Sequence, residues 1–132
     1  MDERLAVTVN ASRIAERHLR AITLPDPGDD YDDLVEQTNL MTALIAKGEA
    51  RRLGRASDIR LLDVQYDGKQ VAARVRGTMD TYNTRITIHP RPGHNCTCPD
   101  WEKNGKQVGP CKHVLKLGEE WLDRLILKLE RP

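Results

Sequence analysis

The chain has 132 residues, of which 21 are Lys or Arg and 20 are Asp or Glu, so its net charge is +1. This length suits one compact domain, and the balanced charge excludes a uniformly basic or acidic binding protein. Apolar residues make up 39% of the chain, with no Phe, two Trp and three Tyr. A core can form, but few large aromatic side chains are present to fill it, so an additional cross-link would help to stabilise the fold.

No apolar run approaches the roughly 18 to 20 residues that span a bilayer, and the N-terminus lacks the basic-then-apolar layout of a secretory signal. We therefore expect a cytoplasmic protein without a membrane partner. In that reducing compartment, three closely spaced cysteines favour metal binding or redox chemistry over structural disulfides.

Two helices are predicted in the N-terminal region, residues 1–57. Apolar spacing predicts the first near residues 10–23, before a Pro-containing loop, and the second from about residue 32 to 53. The second helix has an acidic start and a basic end, which suit the helix dipole. The acidic run is either a solvated helix start or a patch that docks a partner; it consists of Asp26, Asp29, Asp30, Asp32, Asp33 and Glu36.

Beyond Gly54 the apolar pattern changes from helical to alternating. It predicts three strands of an antiparallel meander, with a hairpin turn at Asp67-Gly68. Because strand side chains alternate, Arg74, Arg76 and Arg85 are expected on the outward face. The inward face is predicted to carry Leu62, Val64, Tyr66, Val71, Ala73, Val75, Tyr82, Thr84, Ile86 and Ile88.

The segment from His89 to Trp101 is rich in proline and small polar residues and predicts an irregular loop that holds Cys96 and Cys98. Pro110 then opens a final amphipathic helix. The apolar side of this helix carries Val114, Leu117, Trp121, Leu125 and Leu129.

Cys96, Cys98, Cys111 and His113 form the pattern C-x-C, twelve residues, C-x-H. Zn²⁺ prefers four nitrogen or sulfur donors in a tetrahedron, and two close pairs from a loop and a helix start can supply them. Four protein ligands leave no position for water or substrate, so the zinc is predicted to be structural. An alternative ligand to His113 is His94, whereas His18 and His89 have no partners at ligand spacing.

With Cys-Pro-Asp-Trp after the first pair and Pro-Cys-Lys-His before the helix, this pattern resembles the SWIM zinc finger. Its signature is C-x-C, a variable gap and C-x-H, preceded by strands and followed by a helix. The resemblance covers roughly residues 60–126 and includes all four ligand positions. SWIM domains occur beside helicase-like ATPases, in transposase-like proteins and in small proteins that assist RecA-type recombinases. The resemblance therefore implies a zinc module that binds DNA or proteins.

The predicted fold class is α+β: an N-terminal helical pair, a three-stranded antiparallel meander, a zinc-binding loop and a C-terminal amphipathic helix. Residues 58–132 would form the SWIM-type module, in one compact unit with residues 1–57. No Ser/His/Asp, phosphate-loop or paired-carboxylate arrangement stands out, so we expect neither an enzyme nor a small-molecule substrate.

Two functions are open. One is DNA binding, single strands included, in recombination, repair, replication or transcription. No base-reading motif is visible, so contacts are expected mainly to phosphates, from Arg74, Arg76, Arg85, Lys103, Lys106, Lys112 and Lys116. Trp101 is either a stacking platform for an unpaired base or a cap over the zinc loop. The other function is a protein–protein adaptor whose N-terminal helices or acidic run dock a recombinase, another DNA-processing protein or a second copy of the chain.

Overall fold

Two helices and four strands are described by the computed structural model, which covers residues 24–48, 59–76, 80–99 and 110–130. The strands form one antiparallel sheet in the order β1-β2-β3-β4. Helix α1 packs on helix α2, and α2 packs on the sheet. The predicted α+β class is thus confirmed, and the elements in chain order are α1 (Tyr31–Ala46), β1 (Arg60–Tyr66), β2 (Gln70–Arg76), β3 (Thr81–Thr87), β4 (Gly93–Cys96) and α2 (Lys112–Glu130).

The prediction of three strands was wrong, because Gly93–Cys96 pairs with β3 as a fourth strand. The sequence predicts that these residues belong to the irregular loop. The segment Gly-His-Asn-Cys has no alternating apolar pattern, so nothing local marks it as a strand. Its extended form is stabilised by backbone pairing with β3, a tertiary interaction. Cys96 therefore lies at the end of a strand, and its position is fixed by the sheet.

The hairpin between β1 and β2 turns at Asp67-Gly68, as the sequence predicts. Gly68 has a φ of +88°, a left-handed conformation that favours glycine. The carboxylate of Asp67 accepts hydrogen bonds from the backbone N–H groups of Lys69 and Gln70, at 2.8 and 3.0 Å. These bonds to the charged form lower the pKa of Asp67.

The inward face of β1 differs from the prediction because the strand contains a bulge. The register with β2 shifts between Leu61 and Asp63. Leu61 is consequently buried, whereas Leu62 is only half-buried, although Val64 and Tyr66 pack against the core as expected. Because Leu61 and Leu62 are both apolar, the alternating pattern cannot reveal the extra residue.

Helix α1 begins after the N-cap Asp30, whose side chain accepts a hydrogen bond from the Asp33 N–H at 3.1 Å. It ends at Ala46, earlier than the predicted residue 53. The next residues turn away, and Gly48 lies so close to Leu115 that an added Cβ would sit 2.7 Å from its Cδ2. The predicted helix at 10–23 lies outside the described residues, and so do Arg51 and Arg52 at the predicted basic end of the second helix.

A buried amide joins α1 to the rest of the fold. Gln37 is fully buried, and its Oε1 accepts a hydrogen bond from Trp121 Nε1 of α2 at 2.9 Å. Its Nε2 donates to Tyr66 of β1 at 2.9 Å and to Asp33 at 3.0 Å. Because both polar atoms of the amide form hydrogen bonds, its burial does not leave an unsatisfied polar group. The network ties together α1, α2 and the sheet.

The start of the acidic run contacts the end of α2. Lys128 lies 3.2 Å from Asp26 and 2.7 Å from Asp29. A backbone bond from Gly28 and the contact with Lys128 lower the pKa of Asp26. Part of the run therefore serves an internal contact. Within the described ranges, neither helix is long and apolar enough to cross a membrane.

Candidate metal centre

The four residues predicted to bind zinc lie together in the core. Cys96, Cys98, Cys111 and His113 are all buried, and their ligand atoms lie within 4.8 Å of one another. His113 Nδ1 is 3.7 Å from the sulfur of Cys96 and 4.0 Å from that of Cys111. Tetrahedral zinc with ordinary bond lengths holds sulfur and nitrogen about 3.5 Å apart, so small shifts suffice. The set is positioned to bind one zinc ion.

The local fold explains how the two pairs meet. Strand β4 ends at Cys96, and the extended spacing of two residues directs Cys98 toward the same side while Thr97 faces the other. The Thr97 backbone continues the β3 contact, since its N–H bonds to the Asn83 carbonyl at 3.0 Å. Cys111 and His113 lie at the start of α2. The metal would therefore fasten the edge strand of the sheet to the C-terminal helix.

Packing also orients the imidazole. His113 is 2% exposed, and its ring centroid lies 5.1 Å from that of Tyr82 on β3. With Nδ1 facing the sulfurs, the other ring nitrogen, the buried Nε2, carries the proton when Nδ1 binds a metal. His94 lies on the core side of β4 but does not belong to the clustered donor set. Burial and the nearby charge of Lys47 lower the pKa of His94.

Two of the three thiols, those of Cys96 and Cys111, resist ionisation unless a cation is present. Although a hydrogen bond with Cys111 lowers it, the interaction with Cys98 and burial raise the pKa of Cys96 to about 11. Hydrogen bonds with Cys96 and Cys98, together with burial, also raise the pKa of Cys111. Three thiolates repel each other in a buried space, and a divalent cation offsets that repulsion. This chemistry fits Zn²⁺.

Zinc affinity should therefore rise steeply with pH. Thiols whose pKa lies above neutrality are protonated in the metal-free protein and must lose their protons to bind zinc, so acid competes with the metal. Loss of one proton each from Cys96 and Cys111 on binding lowers the dissociation constant by at least about a hundredfold per pH unit between pH 6 and 8. Competition with a chelator, corrected for the chelator's own protonation, measures this slope. A slope near zero would show that the thiols are already ionised.

A second group of potential ligands forms at the surface, and no ligand spacing in the sequence reveals it. Asp33, Glu36 and His89 bring their ligand atoms within 4.8 Å of one another, and His89 Nε2 is 3.8 Å from Asp33 Oδ1. These side chains are partly or fully exposed. Exposed acidic groups commonly lie together in this way without a metal. The buried cluster is the metal centre.

The basic residues proposed from sequence fall into three groups. Arg74, Arg76 and Arg85 are exposed on the outward face of the sheet, as expected. Lys116 instead pairs with the buried carboxylate of Glu120 at 3.0 Å, so much of its charge is used internally. Lys112 is half-buried at the first turn of α2. The remaining basic candidates, Lys103 and Lys106, lie outside the described residues, as does Trp101.

The structure adds Arg60 to the outward arginines. Arg60 of β1 lies directly opposite Arg76 of β2, and both are exposed. Arg74 is different, because its Nε lies 2.6 Å from the carboxylate of Asp63. The register that brings Arg60 to this face depends on the bulge, so the simple alternation of the sequence did not identify it.

Residues 92–117 match the family model of the SWIM zinc finger. This stretch contains all four clustered residues, so the resemblance and the prediction of a zinc site are confirmed. No match was found among curated proteins or among solved structures.

Proposed function

We propose that this protein is a zinc-stapled binding module that contacts DNA through the outward face of its sheet. The observation that carries the proposal is the opposed pair Arg60 and Arg76. Like charges directly across two strands destabilise a sheet. Among the described residues, neither arginine has a carboxylate partner within ion-pair distance. A phosphate backbone would neutralise both charges, and Arg85 adds a third cation to the same face.

A binding role without catalysis accords with the metal centre. Four protein donors complete a tetrahedral shell, so a zinc ion held by them has no open position at which to activate water. The metal instead fixes β4 against α2 and so sets the shape of the sheet. We propose that zinc acts on DNA binding only through that shape.

DNA affinity should fall with salt, and the opposed arginines should account for part of the dependence. We expect the double variant Arg60→Ala with Arg76→Ala to bind DNA more weakly and to flatten the slope of log affinity against log salt by about two. Its folding should be nearly unaffected, because exposed charges contribute little to stability. Fluorescence anisotropy over a salt series measures the slope, and thermal unfolding checks the fold.

A matched control is available on the same strands. Asp63→Asn with Arg74→Gln also changes two exposed residues but removes a pair whose charges already cancel. We expect this control to leave the salt slope almost unchanged. Equal effects of the two double variants would assign no special role to Arg60 and Arg76. Complete absence of DNA binding at low salt would contradict the proposal and favour the protein–protein adaptor.

A further inference from the structure

The outward face of the sheet contains a hollow, part of an open groove of about 730 Å³. Its floor lies at Ala72, whose cross-strand neighbours are Gln65 on β1 and Arg85 on β3. Asn95 of β4 pairs with Arg85 on the far side. A methyl side chain between longer polar ones leaves a depression, and neither helix covers this face.

Apart from the Arg74–Asp63 ion pair, which also borders the groove, the polar side chains around the hollow share one type of chemistry. Gln65, Asn83 and Asn95 are amides, each of which offers a donor and an acceptor side by side, while Arg85 offers parallel donors from a planar group. These are the groups that form paired hydrogen bonds with the edges of nucleobases. They come from three strands, so their proximity is a product of the register and no linear motif reveals it.

Arg60 and Arg76, the two cations proposed to bind phosphates, lie apart from these amides, whereas Arg74 opposite Asn83 is paired with Asp63. Arg76 is four residues along β2 from Ala72, a distance of about 13 Å at the usual rise of a strand. The opposed Arg60 lies beside it. The face therefore separates a region suited to phosphates from a region suited to base edges, as a nucleic-acid strand itself separates the two.

The shape of the hollow selects among nucleic acids. In a duplex, base edges lie at the bottom of a groove, where a protruding protein element reaches them but a depression does not. An unpaired base can leave its stack and enter a depression, where its edge forms hydrogen bonds and its face stacks on a guanidinium plane. The concave, polar surface around Ala72 thus fits an unpaired base.

We propose that this hollow binds an unpaired nucleobase of a single-stranded nucleic acid. Asn83, Asn95 and Gln65 bond to the base edge, the Arg85 plane lies against the base, and the opposed arginines hold neighbouring phosphates. The inference rests on the proposed function and adds two properties to it: preference for single strands and preference among bases.

Anisotropy with labelled dA, dC and dT oligonucleotides, and with a mixed duplex of equal length, tests both properties. We expect the best homopolymer to bind about fivefold or more tightly than the worst, and more tightly than the duplex. Asn83→Ala with Asn95→Ala should abolish the difference among homopolymers and leave the salt slope unchanged. The matched control, Thr81→Ala with Thr87→Ala, alters the same outward face away from the hollow and should retain the base preference. Zinc content and circular dichroism verify the fold of each variant.

The possible failures separate the two proposals. Binding that is equal for duplex and single strands and indifferent to the base would overturn the hollow but leave DNA binding intact. A base preference that survives in the asparagine double variant would also overturn it. If no nucleic acid binds at low salt, the proposed function fails, and the inference that rests on it fails as well.

Discussion

Replacing Cys111 with serine should release the zinc and unfold the module from β4 through α2. Cys111 is fully buried at the start of α2, and its sulfur clusters with the sulfurs of Cys96 and Cys98. A zinc ion held by these atoms would join α2 to β4. Metal binding in small zinc domains contributes on the order of 10 kcal/mol to folding. Because a whole domain is stable by only about 5 to 15 kcal/mol, the remaining contacts cannot make up this loss.

Urea unfolding followed by circular dichroism, together with elemental analysis, measures the effect. Wild-type protein should contain one zinc ion per chain, and the Cys111→Ser protein should contain much less. Lys112→Ala is a suitable control, because it changes the adjacent residue, which is half-buried and is not a ligand. A Cys111→Ser protein that kept wild-type stability would show that the metal does not support the fold.

Trp121→Ala should produce the second-largest loss, about 3 to 5 kcal/mol of unfolding free energy. Trp121 is fully buried, its ring centroid lies 4.9 Å from that of Tyr66, and its Nε1 donates to Gln37. The substitution removes the largest fully buried side chain among the described residues and leaves the Gln37 acceptor without its donor. Urea unfolding of the zinc-loaded protein gives the free energy directly.

Two further variants separate packing from hydrogen bonding at this position. Trp121→Phe keeps an aromatic ring but removes the N–H, so it should cost about 1 to 3 kcal/mol. Trp121→Phe leaves the Gln37 oxygen without its donor, and adding Gln37→Leu removes that acceptor. The double variant should therefore lose less unfolding free energy than the sum of the two single losses. A loss below about 1 kcal/mol for Trp121→Ala would contradict a central role of this side chain in the core.

Much of the metal centre could be predicted from the sequence, because ligand chemistry is carried by residue type and short spacing. The short C-x-C and C-x-H spacings identify two close pairs of zinc ligands whether the intervening chain is a loop or a strand. The helix start at Cys111 and the apolar stripe through Trp121 are likewise local patterns. The four ligands, the C-terminal helix and the meander up to β3 were therefore accessible without a structure.

Only the tertiary structure decided the remaining features, because they depend on contacts between segments distant in sequence. Strand β4 exists through its pairing with β3, and the bulge in β1 determines that Arg60 faces Arg76. Burial of Gln37 depends on partners from β1 and α2, so its polar side chain gave no sign of it. The sequence determined which chemical groups the protein carries and which of them bind zinc. The fold determined which groups share the outward face, because register, unlike composition, is fixed by long-range pairing.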